Sequence, residues 1–585
     1  MHSFGRMLGL LHKQLHVVVL VLIALCCGTW LDMHIPLLVQ RLFDEAIPAK
    51  DMDMVGYFIQ LTIIYAALRG LCSFVQWYCN ELNGQYVGAE LRRSLHAKLQ
   101  SLPPSWFVHE QTGALLAKFN GDVDSVQAFI GRAFLELIQA IVRILGVMYF
   151  LLRISPSLTL KIMAVVPFLV LILSAFDKRV RPAWEAIRIQ MGILSARIQE
   201  NISGIRVVKS FAQEDNEIRK FDVENADYRQ KNLLRVHLEA NYNPLLESLS
   251  ALAAVFFVVF GGNDVIRGNM QFGELVAYSQ YLGMLIWPAR MLGWMVNMME
   301  RALGAMPRLA SILDATTSIK DNVDAMPLQR PQGHIVFHDV AFRFENSDHD
   351  LFHDINIDIQ PGERVAIVGG TGSGKSTLTH LLARFHDVTS GSITIDGTDI
   401  RKVTLASLRH HIGLVPQESF LFSLTIGENI AFGHPDAPLH MIEQAARVSQ
   451  AADFIDSLPH GYATPLGERG LGLSGGQRQR LSLARAILMD PAILILDEAT
   501  ASVDTETEWR IQSALNSIMQ GRTTLIIAKR LSTIQGADKV ILLDKGTIAE
   551  QGTPSELMQQ GGLYKRLFEN QFAQNADWGE EVRHV

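Results

Sequence analysis

Residues 362–385, GERVAIVGGTGSGKSTLTHLLARF, decide the fold class of the second half of this chain. The run VAIV is apolar and β-branched, as in a buried strand, and STLTHLLARF has the apolar spacing of a helix. The turn between them fits the phosphate-loop pattern G-x-x-x-x-G-K-[ST]. The backbone amides of such a turn close on phosphate oxygens, and Lys375 and the helix amino end supply positive potential. This stretch therefore predicts an α/β domain that binds a nucleoside triphosphate.

The phosphate loop supplies most of the predicted nucleotide-binding residues. They are Gly369, Gly370, Thr371, Gly372, Ser373, Gly374, Lys375, Ser376 and Thr377. Ser376 is also expected to ligate a magnesium ion. A glycine-rich turn without a ligand is the alternative, and the strand and helix on either side argue against it.

A second anion-binding feature lies in LGLSGGQRQRLSLARAIL, residues 471–488. Exposed amides at a helix amino end, together with a serine hydroxyl, form an anion site. A serine and two glycines before a helix are by themselves more often a simple helix cap. The predicted nucleotide contacts here are Ser474, Gly475, Gly476 and Gln477.

An apolar run, AILILDEATASVD at residues 492–504, follows directly and removes most of that doubt. It delivers Asp497 and Glu498 to the end of a strand. This order is how a phosphoryl-transfer site places a magnesium carboxylate, here Asp497, beside a water-orienting carboxylate, here Glu498. The sequence therefore predicts a hydrolytic site with Mg²⁺.

The first half of the chain has the composition of a membrane domain. Mean hydropathy is +0.17 with 19% charged residues, and the net charge of −7 argues against nucleic acid. The cysteines, Cys26, Cys27, Cys72 and Cys79, fall inside apolar stretches, which indicates neither disulfides nor a metal site. Six stretches reach the roughly 20 residues that span a bilayer. They are 17–39, 55–82, 133–152, 158–175, 245–265 and 272–299.

The loops between these stretches predict an orientation. Segments 83–132 and 176–242 hold most of the lysine and arginine, which places both termini in the cytosol by the positive-inside rule. Helical periodicity continues through both segments, so the spanning helices are expected to extend beyond the membrane. The predicted divisions are a transmembrane domain at 1–315, a linker at 316–334, a nucleotide-binding domain at 335–575 and a tail at 576–585.

These motifs resemble the ATP-binding cassette (ABC) transporters, specifically half-transporters of the exporter fold, along the whole chain. The fold class is then an α-helical six-span transmembrane domain followed by an α/β phosphate-loop nucleotide-binding domain. The resemblance implies that Phe344 stacks on adenine and that Asp504 communicates between the two sites of a dimer. Gln417 would join Mg²⁺ and the attacking water to the membrane helices, and the segment LGERG, with Glu468, would touch a coupling helix.

The family works in pairs, for a physical reason. One phosphate loop covers one side of ATP, and the signature serine and glycines of a second chain can close the other side. The implied partner is a second half-transporter, with a heterodimer ranked slightly above a homodimer. ATP and Mg²⁺ are the implied ligands, a bacterial inner membrane is the expected location, and membrane lipids surround the spans.

Residues 523–534, TTLIIAKRLSTI, depart from the family at one position. The apolar run 523–528 predicts a buried strand that delivers Lys529, where the family has a catalytic histidine. Lysine donates to phosphate but cannot accept, and at an ordinary pKa near ~10.4 it stays charged. Three interpretations stay open: an impaired site in a heterodimer, a substitution that traps bound ATP, and a tolerated replacement.

The sequence indicates less about the transported substrate than about the nucleotide site. Arg69 and Arg143 fall deep in their spans and either line a cavity for an anionic or amphipathic substrate or pair with a neighbouring helix. Asp32, His34 and Arg290 are expected nearer to span ends, where snorkelling accounts for them. Export of an amphipathic drug or lipid is the primary prediction. Import of metal-siderophore complexes and a non-transporting membrane regulator are alternatives, whereas a soluble chromosome-type ATPase is excluded by the spans.

Overall fold

The structure is a computed structural model, and it describes residues 12–108, 110–317, 319–344, 347–497, 513–528 and 531–567, together with Gly5, Gly9 and Glu569. The chain divides into two compact units. One comprises residues 1–100 and 112–315, and the other comprises 101–111 and 316–585. We call them the membrane unit and the nucleotide unit.

The membrane unit is helical throughout its described part. Its main helices are α1 (Leu15–Arg41), α2 (Met52–Ser101), α3 (Phe134–Ile154), α4 (Pro156–Met163), α5 (Val166–Ser203), α6 (Glu214–Phe256) and α7 (Phe272–Leu313). Shorter helices and π-helical turns connect them at Leu42–Ala46, Ile47–Ala49, Thr112–Ala117, Lys118–Asp122, Val123–Ala128, Phe129–Ala133, Ile205–Ser210, Phe257–Gly261 and Gly262–Ile266. Helix α2 has 50 residues, or about 75 Å at ~1.5 Å per residue. It therefore continues well past the apolar stretch 55–82.

Four helical segments of the described residues are long and apolar enough to cross a membrane. They are His12–Ala49, Met52–Ser101, Thr112–Ile154 and Glu214–Ile266. These segments contain the first, second, third and fifth predicted spans, and the sixth lies in α7. A helical transmembrane domain followed by a nucleotide-binding domain is the fold class that the sequence predicts.

The fourth predicted span, 158–175, is not one continuous helix. Helix α4 ends at Met163, and α5 begins at Val166 after a turn at Ala164 and Val165. Pro167 is the second residue of α5. Because proline has no N–H to donate to the preceding turn, it is tolerated at the start of a helix and ends the one before it.

The nucleotide unit contains two sheets. The strands are β1 (Ile335–Phe342), β2 (Phe352–Ile359), β3 (Arg364–Gly369), β4 (Ser390–Ile395), β5 (Thr398–Asp399), β6 (Ile412–Val415), β7 (Ile493–Asp497), β8 (Thr523–Ile527), β9 (Lys539–Asp544) and β10 (Thr547–Gly552). One sheet is antiparallel, with order β2-β1-β4-β5. The other has order β10-β9-β3-β8-β7-β6 and is parallel except for the β10–β9 hairpin. The longer helices of the nucleotide unit are α8 (Lys375–Leu382), α9 (Leu439–Val448), α10 (Gly475–Leu488) and α11 (Pro554–Gln560). Shorter helices are Pro104–Val108, Leu405–His410, Ile426–Ile430, Ala452–Asp456 and Leu531–Gln535.

The six-stranded sheet is buried on both faces, which explains its apolar strands. Ile493 and Ile495 of β7 belong to one core cluster, and Leu494 and Leu496 belong to another on the opposite face. Register places the strand ends side by side, since Ile527 pairs with both Ile367 and Asp497. The loops that follow β3, β7 and β6 therefore leave the sheet at the carboxyl ends of its strands, which is where ligands of open parallel sheets bind.

The predicted linker, 316–334, lies along the surface of the nucleotide unit wherever it is described. Asp321 Oδ1 accepts from the Leu405 amide at 2.7 Å, and the Leu328 amide donates to Ser407 Oγ at 2.8 Å. Farther along, Arg330 pairs with Asp490 at 2.7 Å. The segment is thus fastened at intervals rather than extended as a free chain.

Candidate functional site

The phosphate loop follows β3 and has the backbone that its glycines permit. Gly372 and Gly374 have φ of +82° and +93°, in the left-handed region that favours glycine. Gly369, the last residue of β3, is tightly packed: a Cβ there would lie 2.5 Å from the Leu543 carbonyl oxygen and 2.6 Å from Ser373 Oγ. The loop therefore forms an open backbone cradle that side chains would fill.

Two polar groups of this loop are poised for an anion. Lys375 Nζ donates to the Gly369 and Gly370 carbonyl oxygens at 3.0 and 2.8 Å, which holds the ammonium over the loop. Ser373 Oγ is buried and has no hydrogen-bond partner among the described residues. A buried hydroxyl without a partner is costly, and a phosphate oxygen would satisfy it. The cradle, the cation and the orphaned hydroxyl together fit a triphosphate.

Ser376 and Asp497 meet at the start of α8. Ser376 Oγ donates to Asp497 Oδ2 at 2.9 Å, although the two residues are 121 positions apart. A hydroxyl and a carboxylate oxygen are the hard ligands that Mg²⁺ prefers beside phosphate. These residues therefore fit the magnesium site that the sequence predicts.

His380 lies on the same side of α8 as Ser376, one turn later, and sequence reasoning overlooked it. Burial lowers the pKa of its imidazole, and the nearby Asp497 carboxylate opposes part of that effect. The ring is neutral at neutral pH as a result. The helical spacing i, i+4 from Ser376 is the signal that could have found it.

Phe344 follows β1 and belongs to a cluster of three rings. Its centroid lies 4.9 Å from that of Phe342 and 5.4 Å from that of His386, both edge-to-face. Phe342 is buried in the core, whereas Phe344 is 42% exposed. We call Phe342, Phe344 and His386 the aromatic triad. It holds an exposed ring in a fixed orientation, as stacking on a base requires.

The other predicted catalytic residues divide between described and undescribed positions. Gln417 is exposed two residues beyond the end of β6, and β6 pairs with β7 through Val415 and Leu496. Gln417 thus follows the strand next to the one that ends in Asp497. Glu498, Asp504 and Lys529 lie outside the described residues.

The signature serine caps its helix. Ser474 Oγ accepts from the Gln477 amide at 3.2 Å, and the Ser474 amide donates to Gln477 Oε1 at 2.8 Å, so the two residues form a capping box. Capping is the alternative that the sequence left open, and it is present. Because the hydroxyl acts as acceptor in the cap, it retains its own hydrogen. Ser474 and Gly475 are exposed, so this hydrogen and the helix amides can reach an anion from outside.

The arginines of α10 have internal partners. Arg478 donates to the Leu473 carbonyl oxygen at 2.7 Å. Arg480 is buried, stacks on Phe454 at 5.1 Å and donates to the Gln450 carbonyl oxygen at 2.5 Å. These contacts of Arg478 and Arg480 hold α10 and the loop before it in position.

Glu468 lies exposed in a short helical turn, Glu468–Gly470, before the signature.

In the membrane unit, Arg69 and Arg143 pair with one carboxylate. Arg69 Nε lies 2.7 Å from Asp32 Oδ1, and Arg143 Nη2 lies 2.7 Å from Asp32 Oδ2. The expectation that Asp32 snorkels at a span end is wrong, because its side chain is only 17% exposed and joins α2 and α3 to α1. The packing of α1 against α2 and α3 brings the two guanidinium groups to the Asp32 carboxylate, so this side chain is held between helices rather than extended toward water.

Comparison with protein families gives two matches. Residues 18–289 match the description "ABC transporter transmembrane region", and residues 352–501 match "ABC transporter". The first range covers much of the membrane unit, and the second runs from β2 past β7.

Individual proteins are similar over nearly the whole length. An uncharacterized ABC transporter ATP-binding protein of Bacillus subtilis is 37% identical, covering 98% of this chain and 98% of its own. An ATP-dependent lipid A-core flippase of Syntrophus aciditrophicus is 35% identical over 100% of this chain and 96% of its own. The solved structure of a bacterial Atm1-family ABC exporter with ATP bound has a TM-score of 0.78 and 29% identity, and the match covers 95% of this chain and 98% of that one. None of these three proteins is described as an importer, so the comparison gives no support to siderophore import.

Proposed function

This chain belongs to the ATP-binding cassette transporters, as a half-transporter of the exporter type, and we propose that it moves an amphipathic small molecule, drug or lipid out across the membrane by alternating access. The cassette domain implies that ATP hydrolysis drives the transport. The observation that carries the catalytic part is the bond between Ser376 and Asp497 beneath the phosphate loop.

The chain's own residues divide the work of hydrolysis. The loop amides and Lys375 bind the β- and γ-phosphates, and Phe344, held in place by the other two rings of the aromatic triad, stacks on the base. Ser376 and Asp497 would hold Mg²⁺, with Gln417 as a further ligand, and the ion would neutralise charge on the transferring phosphoryl group. Glu498 orients the attacking water, and Lys529 donates to the γ-phosphate in place of the family's histidine.

The nucleotide site is completed by a second half-transporter. Ser474, Gly475, Gly476 and Gln477 are the surface that closes on the partner's ATP, and this is supported by the exposed position of Ser474 at a helix amino end. ATP then bridges the two chains, and hydrolysis weakens the bridge. We place a heterodimer slightly ahead of a homodimer because Lys529 suits a slow site that is paired with a fast one. Asp504 would communicate between them.

Gln417 begins a loop with an exposed aromatic surface. Phe420 and Phe432 are about half exposed, and Phe422 stacks on Phe432 with centroids 4.4 Å apart. Arg485 lies over Phe432 at 5.4 Å. Exposed aromatic groups of this size mark interaction sites. We propose that this loop and Glu468 couple the state of the nucleotide to the membrane helices.

The chain is an integral membrane protein. We propose that it lies in a bacterial inner membrane with both termini in the cytosol, which agrees with the lysine and arginine content of segments 83–132 and 176–242. Protease protection in inside-out vesicles tests this orientation.

Transport in proteoliposomes tests the function. The chain is co-purified with any partner and reconstituted, and efflux of fluorescent lipids and drugs is followed with ATP or with a non-hydrolysable analogue. We expect ATP-dependent movement that Asp497→Asn abolishes and Asp538→Asn, in another part of the same unit, leaves intact. ATP hydrolysis without movement of any amphipathic probe would contradict export and favour a regulator.

A further inference from the structure

Asp32, Arg69 and Arg143 form one buried ionic cluster, which we call the Asp32 trio. The three residues come from α1, α2 and α3, and both carboxylate oxygens are engaged at 2.7 Å. The side chains of Arg69, Asp32 and Arg143 are 21%, 17% and 17% exposed. They are therefore largely, but not completely, buried.

The charges of the Asp32 trio do not cancel. Two guanidinium groups face one carboxylate, so the cluster carries one excess positive charge inside apolar spans. An uncompensated charge in such surroundings is expensive, and intramembrane ionisable groups mark functional sites. Two cations therefore share one counter-ion in this cluster.

Hydrogen bonding is incomplete in the same place. Arg143 Nε is buried without a hydrogen-bond partner in the described part of the chain, and Arg69 Nε has the Asp32 carboxylate at ion-pair distance but without hydrogen-bond geometry. Thr29, one helical turn before Asp32 on α1, is 5% exposed, and its Oγ1 is also without a partner there. Unsatisfied buried donors cost free energy unless a ligand or water completes them.

The helices are shaped to hold this cluster. A Cβ at Gly28 would lie 3.8 Å from Arg69 Cδ and 3.3 Å from Cys72 Cβ, so Arg69 lies across α1 where no side chain intervenes. His34 Nδ1 is bonded to the Trp30 carbonyl oxygen of its own helix at 2.8 Å. The Asp32 trio is thus fixed by backbone packing, and its donors are pre-positioned.

We propose that the Asp32 trio binds the anionic headgroup of an amphipathic cargo, a phosphate, sulfate or carboxylate, and that Asp32 is a built-in competitor for the same guanidinium groups. This inference rests on the export function proposed above and names the chemical class of its substrate. An anion supplies the missing charge and the missing acceptors together. Arginine is suited to this because its fork of donors matches carboxylate and phosphate oxygens.

The site favours an amphiphile over a free ion. The surrounding helices are apolar, and a small hydrated anion would lose its water without gaining apolar contact. A headgroup attached to a hydrocarbon chain gains burial of about 0.8 kcal/mol per CH₂ for the chain. Two probes separate the effect of headgroup charge from that of the hydrocarbon chains. They are acyl-labelled fluorescent phosphatidic acid, whose headgroup is anionic, and phosphatidylcholine with the same label and chains, whose headgroup has no net charge.

Equilibrium binding of the two probes to the full chain in nanodiscs, without ATP, tests the proposal. The measured quantity is the ratio of the two dissociation constants in one preparation, which does not depend on the folded fraction. The wild type should prefer phosphatidic acid. Asp32→Asn should raise that preference about tenfold by removing the competitor, and Arg143→Gln should lower it about tenfold. The double variant restores the charge of the cluster and should return the ratio to within about threefold of the wild type.

Arg153→Gln is the matched control, because it removes one cation from the same helix where the side chain stacks on Tyr149. The ratio of the two dissociation constants should be the same in this variant as in the wild type. A wild-type ratio near one, or single variants that lower thermal stability without moving the ratio, would assign the Asp32 trio to helix packing alone and overturn the proposal. Displacement of phosphatidic acid by millimolar inorganic phosphate would contradict an amphiphilic ligand. ATP-driven export of both probes at equal rates would leave the transport function standing and refute only the charge preference.

Discussion

Ser376 and Asp497 are hydrogen-bonded at 2.9 Å, and this bond joins the first helix after the phosphate loop to the end of β7. The two residues are expected to share a metal ion, so the bond shows that their side chains converge on one point. Hydrolysis therefore depends on the register of β7 and β3 through β8, which sets this distance.

Lys375→Ala should weaken ATP binding by at least about tenfold. The ammonium held over the loop makes charge-assisted hydrogen bonds to phosphate, which are worth roughly 1.5 to 3 kcal/mol. Binding of a fluorescent ATP analogue to the purified chain measures the effect. Lys402→Ala, at an exposed lysine of the same unit, is the control. Unchanged affinity in the Lys375 variant would refute the assignment of the phosphate loop.

Phe344→Ala should cost roughly 1 to 3 kcal/mol of ATP binding through lost stacking. His386→Ala removes the ring that holds Phe344 edge-to-face and should cost less, about 0.5 to 1.5 kcal/mol. Affinity for inorganic triphosphate, which has no base, should be unchanged in both variants. An equal loss for triphosphate would mean that the substitutions disturb the fold rather than the platform.

Ser474→Arg should abolish ATPase activity at the site whose phosphate loop belongs to the partner chain. The bulky cation would occupy the surface that we propose closes on the partner's ATP. Ser474→Thr retains the hydroxyl and the cap and should keep activity. Substrate-stimulated ATPase of the purified complex is the readout. Full activity in the arginine variant would show that the two chains do not share a site.

Lys529→His should raise hydrolysis at the site containing Lys375 by at least about tenfold, while ATP affinity changes little. Imidazole can donate and accept, whereas lysine only donates. Single-turnover cleavage of trapped ATP is compared with Glu498→Gln as the inactive reference. Equal rates for the lysine and histidine forms, both far above that reference, would identify the lysine as tolerated.

His380 should make stability depend on pH. Burial lowers the pKa of the folded imidazole below the unfolded value of about 6.5, although the Asp497 carboxylate opposes this. The folded state then binds fewer protons, so the stabilisation is present above about pH 6.5 and is lost as the pH falls through the folded pKa. The thermal midpoint of the full chain should drop between pH 7.5 and 5.5. His380→Gln should reduce that drop, and the exposed His460→Gln should not.

Motifs read locally were predicted well. The phosphate loop follows from glycine spacing between a strand and a helix, and the structure gives Gly372 and Gly374 the positive φ that makes glycine necessary. The cap at Ser474 was predicted as one of two possibilities, and the structure shows that it is present. Local chemistry suffices in these cases because the interacting atoms are a few residues apart.

Contacts between distant segments escaped prediction. His386 contacts Phe344 only because β1 and the loop before β4 come together, and no pattern in either segment announces it. The break at Ala164 depended on Pro167, a residue that apolar counting treats as neutral. Pairing of Asp32 with two arginines required the packing of three helices, which hydropathy alone does not determine.

The Asp32 trio also bears on how this transporter can change over evolutionary time. Aspartate and asparagine codons differ by one nucleotide, and the exchange preserves side-chain shape. If Asp32 sets the charge balance of the cluster, one point mutation shifts cargo preference without rebuilding any helix. Drug resistance or a new lipid specificity could then arise at this position in a single generation, and sequencing of strains selected on anionic drugs is where such a change would first be found.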